Sequence, residues 1–159
     1  MALSDLIVRL DELEFLAFPQ DDPVYSTKCV FEQTGVKSKD LTMNHSTLKA
    51  GKTLRGGSHP KECDEGYFVL KGRARLRLGG NPETGKGHTV YELYPGTAVF
   101  IPGRTFHELS NPYDEDFVLL TIWPRRPPEG ANRVYDERRK LWGSDFRKKT
   151  PSADSTSRI

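Results

Sequence analysis

The sequence predicts an all-β sandwich or barrel with short N- and C-terminal extensions, and three observations carry that prediction. From Leu41 onward, short segments rich in β-branched and aromatic residues succeed one another: "LTMNHSTLKAG", "GYFVLKG", "RARLRLGG", "HTVYELYPG", "TAVFIPG" and "DFVLLTIW". Gly, Pro and Asn separate them at the short spacing typical of antiparallel sheets. The prolines of "YPGTAVFIPG" sit at strand edges, where a missing N–H is tolerated.

Taken in chain order, residues 1–40 form an arm that mixes "LIVRL", "EFLAF" and "KCVF" with Pro19, Pro23 and Gly35. That mixture permits a short helical or extended entry but no long helix. Residues 41–125 hold the strands and most of the apolar content. Two turn-bounded halves, 51–79 and 88–111, read as related hairpins, and "GGNPETGKG" is a hairpin connection longer than the tight two-residue type. After Trp123, "PRRPPEGAN" interrupts regular structure. Within 126–147, "RVYDERRKLWGSDF" fits a short helix with Val134, Arg138 and Leu141 on related faces. Residues 148–159, "KKTPSADSTSRI", have almost nothing to bury and read as a disordered tail.

The composition narrows the function classes. The 24 basic and 22 acidic residues leave a net charge of +2, which points to neither nucleic acid nor membrane. A late cluster including Arg125, Arg126, Arg138, Arg139 and Lys140 is interspersed with acids and reads as a solvated surface. Cys29 and Cys63 are far apart and form no CxxC pair, so neither a disulfide framework nor a cysteine zinc site is indicated. The start, "MALSDLIVRLDELEF", has acids where a signal peptide needs a basic, then apolar, run. These features give the expectation of a cytoplasmic protein that binds neither nucleic acid nor membrane.

The chemical residues gather in "GGSHPKECDEGYFVLKGRARLRL", residues 56–78, where His59, Glu62, Cys63, Asp64 and Glu65 fall within seven positions before an alternating strand. By itself this is a polar loop. A later segment, "GTAVFIPGRTFHELSN", places Gly96, Pro102, His107 and Asn111 at a spacing that resembles the second motif of the cupin superfamily, G-x5-P-x-G-x2-H-x3-N. Arg104 stands where that family has its second glycine, one residue after Gly103. The first cupin motif, G-x5-H-x-H-x3/4-E-x6-G, is matched less fully and in two competing ways. Counting back from Glu65 places His59 and Lys61 at the two histidines; counting forward from Gly51 places Gly57 and His59 there, with a longer loop before Glu65. The forward count is favoured, and both counts keep His59, Glu65 and His107 while losing one histidine.

The resemblance covers about residues 41–124 and implies a double-stranded β-helix, or jelly-roll barrel, with the motif residues at its mouth. It implies metal ligation by His59, Glu65 and His107. Two imidazoles and a carboxylate form an open three-point face for one divalent ion; Fe(II) suits such a face best, and Mn, Ni, Co or Zn also accept these ligands. Around that face, period-two alternation puts Tyr67 on the side of Glu65, as a candidate catalytic phenol. His45, sharing a face with Met43 and Thr47, is a candidate base or replacement ligand. Lys61 and Arg104 are candidate clamps for a substrate carboxylate or phosphate. Cys63, Trp123 and Trp142 read as packing residues.

Three functions remain open, in this order: a non-haem iron oxygenase acting on a small polar, anionic metabolite; a divalent-metal lyase, isomerase or epimerase; and a non-catalytic metabolite-binding cupin. Because small cupins pair through terminal strands and sheet faces, a homodimer is expected.

Overall fold

In the computed structural model, the described residues are 6–32, 38, 40–144 and 146; the proposed disordered tail lies outside them. Ten strands follow in chain order: β1 (Leu16–Phe18), β2 (Tyr25–Cys29), β3 (Thr42–Leu48), β4 (Thr53–Gly57), β5 (Glu65–Lys71), β6 (Ala74–Leu78), β7 (Thr89–Leu93), β8 (Ala98–Ile101), β9 (His107–Ser110) and β10 (Phe117–Trp123). One helix, α1 (Arg133–Trp142), comes after them.

The strands form two antiparallel sheets, a six-stranded one ordered β1-β2-β3-β10-β5-β8 and a four-stranded one ordered β4-β9-β6-β7. Each inward face is set by alternation: β3 buries Thr42, Asn44, Ser46 and Leu48, and β10 buries Phe117, Leu119, Thr121 and Trp123. Leu48, Val69, Leu76, Leu109, Phe117 and Leu119 join the two faces into the main core. This is the jelly-roll barrel expected from the sequence. The paired Leu48 and Phe117 are apolar, whereas the inward residues further along the same two strands include the polar Ser46, Asn44 and Thr121.

The described strands of the N-terminal arm are part of the barrel wall, because β2 pairs with β3 from Tyr25↔Leu48 to Cys29↔Asn44 and β1 adds outside it. At the other terminus, α1 starts at an Asn132 cap whose side chain accepts from the Val134 and Tyr135 N–H groups. It buries Tyr135 and Arg138, while Leu141, expected on the same face, is exposed. Tyr135 and Phe146 pack with Cys29, Cys63, Trp123 and Ala131 in a second core that holds α1 against the barrel. No helix among the described residues is long and apolar enough to cross a membrane.

Candidate metal centre

Two backbone devices bring the histidines to the mouth. Gly56 lets β4 press against β9, since a Cβ there would meet the Glu108 Cβ at 2.6 Å and the His107 carbonyl oxygen at 2.7 Å. The β4–β9 register shifts between Leu54 and Gly57, and Gly57 ends opposite His107; such a bulge re-aims the chain that follows. The loop after β4 is then pinned to the turn before β9, where Arg104 N–H donates to the His59 carbonyl at 2.8 Å and Gly103 N–H donates to Asp64 at 2.9 Å.

His59, Glu65 and His107 converge, with their ligand atoms all within 4.8 Å of one another. Both imidazoles are held by backbone carbonyls: His59 Nδ1 donates to Ala131 O and His107 Nδ1 to Thr105 O, each at 2.9 Å. A carbonyl can only accept, so each Nδ1 carries a proton and each Nε2 is left facing the centre. Those Nε2 atoms lie 3.4 Å and 3.3 Å from the same Glu65 oxygen. Fixing the tautomer through the second nitrogen is how proteins present imidazole to a metal, so this donor set fits a divalent cation.

The electrostatics are those of a buried, lone-pair-rich cluster. Burial pushes the Glu65 carboxyl up, but hydrogen bonds from His107 and His59, each made when the imidazole takes a second proton at Nε2, outweigh it and hold the group below its ordinary range. Burial pulls His107 down, and its contact with Glu65 more than reverses this. Tyr67, on the Glu65 face of β5, donates its hydroxyl to Glu65 at 3.4 Å. Burial, then the Glu65 charge, raises the Tyr67 phenol well above its ordinary value, so it holds its proton through neutral pH.

These residues line a cavity of about 270 Å³ that also reaches Thr27, Asn44, Thr121, Trp123 and Tyr135. The structure thus groups His59, Glu65, His107 and Tyr67, and leaves the other candidates outside. His45 shares a face with Met43 and Thr47, but that face of β3 is the outer one and Asn44 is the inward neighbour. Lys61 and Arg104 are exposed on the loops behind the centre and do not line the cavity. Arg104 has φ 63°, the left-handed region that glycine fills without strain, so its backbone turns the chain while its side chain projects to solvent. The cavity's cations are instead Arg55 and Arg133. Arg133 donates to the Arg55 carbonyl, and burial together with the Arg55 charge lowers its pKa.

Comparison with known proteins agrees with this geometry. The cupin domain family model matches residues 44–123. "Glucose-6-phosphate isomerase" of Thermococcus onnurineus is 31% identical over 133 residues, covering 77% of this chain and 67% of that protein. The Thermococcus litoralis protein of the same name is 31% identical over 113 residues, covering 66% and 57%. The chain therefore spans between 57% and 67% of the length of these curated relatives. A cupin-2 domain from Rhodospirillum rubrum superposes with a TM-score of 0.61 at 19% identity, covering 82% of each chain, which shows a shared fold. The family match runs from Asn44 on the cavity wall, through His59, Glu65 and His107, to Trp123, and the chain belongs to the cupin domain family.

Proposed function

We propose that the chain is a divalent-metal-dependent isomerase of a small phosphorylated sugar. The observation that carries the reading is the presentation of His59 Nε2, His107 Nε2 and the Glu65 carboxylate at one point in the cavity, with the Tyr67 hydroxyl on Glu65. The similarity to the Thermococcus isomerases supports isomerisation over the other metal-dependent reactions compatible with such a centre. The iron-oxygenase reading, first in order from the sequence, is the runner-up because the donor set suits Fe(II) equally well.

A divalent ion held by His59, Glu65 and His107 would polarise a sugar carbonyl or hydroxyl oxygen. The chain's own residues do the remaining work. Arg55 and Arg133 attract the anionic end of the substrate to the cavity mouth. Tyr67 keeps a phenolic proton beside the centre, available to a substrate oxygen that gains negative charge. Trp123 packs edge-on against His59, with ring centroids 4.7 Å apart, and holds that imidazole in place.

The test loads the purified protein with Fe(II), Mn(II), Ni(II), Co(II) or Zn(II) and follows glucose 6-phosphate and fructose 6-phosphate by NMR, with dissolved oxygen recorded in parallel. Interconversion that stops on chelation is expected. Oxygen uptake with Fe(II) and no interconversion with any metal would overturn the reading in favour of the oxygenase.

A further inference from the structure

Beyond the metal face, the inner wall of the same cavity is a chain of polar groups in which the hydrogen-bond directions can be assigned. Arg138 is fully buried, and its guanidinium donates through Nη1 to Asn44 Oδ1 at 3.1 Å and through Nη2 to Thr27 Oγ1 at 3.3 Å. Arginine has no acceptor, so the Asn44 atom facing it must be the amide oxygen. The Asn44 amide nitrogen is thereby turned the other way, where its two hydrogens meet Thr121 Oγ1 at 3.0 Å and the Tyr135 hydroxyl at 2.9 Å. Both hydroxyls are acceptors from Asn44, and no hydrogen bond carries either of their own protons to another described residue. Both residues line the cavity.

We propose that Arg138, acting through Asn44, fixes Thr121 and Tyr135 as hydrogen-bond donors into the cavity, and that this pair seats an acceptor-only oxygen group of the substrate: a carboxylate, a carbonyl or the oxyanion formed from it. The charge balance favours the same occupant. A buried guanidinium costs several kcal/mol to desolvate unless an anion faces it, and no ion pair joins Arg138 to a carboxylate among the described residues. Its Nε–H also lacks a partner. Burial raises the Tyr135 phenol far above its ordinary value, so the hydroxyl stays a donor. A substrate hydroxyl could accept from this wall too, but its own proton would find no acceptor there, whereas a carboxylate or carbonyl oxygen brings none. Arg138 and Asn44 are positioning residues in this scheme, and Thr121 and Tyr135 are the groups that touch substrate. The inference rests on the proposed function only in supposing that the cavity takes a small oxygenated metabolite.

The experiment measures binding to the purified protein at its quantified metal content, using two matched pairs of probes. The first pair is 6-phosphogluconate and glucitol 6-phosphate, which differ in a carboxylate against a hydroxymethyl group. The second is lactate and propane-1,2-diol, the same difference without phosphate. Wild type should prefer the carboxylate of each pair by roughly tenfold, the scale of a charge-assisted donor pair. Asn44→Asp keeps the shape and the Arg138 contact but offers only acceptors, so Thr121 and Tyr135 would turn their protons onto it and away from the cavity. It should abolish the preference while metal content and circular dichroism stay unchanged. Because that variant also adds negative charge, Tyr135→Phe and Thr121→Val serve as neutral counterparts. Each should lower carboxylate affinity severalfold and the affinity of the hydroxymethyl partner by less, so that the preference shrinks. Preference intact in both neutral variants, or no carboxylate preference in wild type for either pair, overturns the inference. Preference for lactate with no binding of either phosphorylated probe would leave it standing and remove the sugar-phosphate reading instead.

Discussion

The cavity has two buried polar poles, and they are built with opposite chemical signs. At the mouth, with both imidazoles neutral, His59 Nε2, His107 Nε2 and the Glu65 oxygens present lone pairs to one another, and Tyr67 donates into the group. On the inner wall, Arg138 donates to Asn44, Asn44 donates to Thr121 and Tyr135, and the protons of those hydroxyls remain. The first pole suits a cation and the second an anionic or acceptor oxygen. Burial alone does not distinguish them, since Glu65 and Asn44 are 5% and 2% exposed. What does is whether the local donors or the local acceptors are in excess.

If the poles differ in this way, they should also differ in what they contribute. Arg138→Ala should destabilise the protein by about 3–5 kcal/mol in denaturant titration, because it strands Asn44 Oδ1 and opens a cavity under Tyr135 and Phe146. Arg138→Met, which refills most of the volume, should cost less, about 2 kcal/mol. Metal bound per folded molecule should be unaffected by either. A loss of metal that matches the loss of stability would show that the poles are one unit.

The mouth should behave in the reverse manner. Glu65→Gln or His107→Ala is expected to weaken metal binding about a hundredfold, worth about 2.7 kcal/mol, while the metal-free variants unfold within about 1 kcal/mol of wild type. Inductively coupled plasma mass spectrometry after dialysis, together with urea unfolding, reads both quantities. Wild-type metal stoichiometry in His107→Ala would remove the centre itself.

The two poles also differ in how far the sequence reveals them. The mouth is legible because its residues sit at fixed offsets: Glu65, Tyr67 and Val69 share a strand face, and His107 follows Pro102 in a spaced motif. The inner wall is not, and β3 shows why. Alternation correctly groups Met43, His45 and Thr47 on one side, but the opposite set of Thr42, Asn44 and Ser46 is polar as well, so no hydrophobic contrast says which side faces in. The inward side is set by tertiary packing, through β10 on one flank and β2 on the other. Arg138 and Tyr135 arrive from a helix some ninety positions later, beyond any local signal. β4 and β9 were hidden for a different reason: Gly56 and Gly57 dilute one strand's pattern, and "HELS" is too short and polar to show the other's.

The motif residue missing from the mouth offers a sharper test of its sign. Gly57 lines the cavity, lies opposite His107, and would accept a Cβ with no atom within 4 Å. Gly57→His would therefore add a fourth donor to a lone-pair-rich centre, on a Cβ that meets no neighbour. Metal affinity should rise about tenfold, or about 1.4 kcal/mol, and the inner wall's preference between carboxylate and hydroxymethyl probes should not change. Weaker metal binding in a folded Gly57→His protein would mean that the space at Gly57 belongs to the substrate.

The smallest expected effects are at the rim, where the cations that line the cavity can be set against those that do not. Arg55 and Arg133 border it, whereas Lys61 and Arg104 are exposed on the loops behind the centre. Being close to solvent, the rim arginines should act through a screened field, so Arg55→Gln and Arg133→Gln are each expected to raise KM for a phosphorylated substrate by about threefold to tenfold, less at high salt, with kcat unchanged. Lys61→Gln should change neither constant. Arg104 separates backbone from charge: at φ 63° a glycine relieves the left-handed strain, so Arg104→Gly should stabilise the fold by about 0.5–1 kcal/mol and leave KM alone. If instead Arg104→Gly raises KM as Arg55→Gln does, the long side chain swings from its loop to the anion when substrate binds, and the mouth draws its positive charge from both sides.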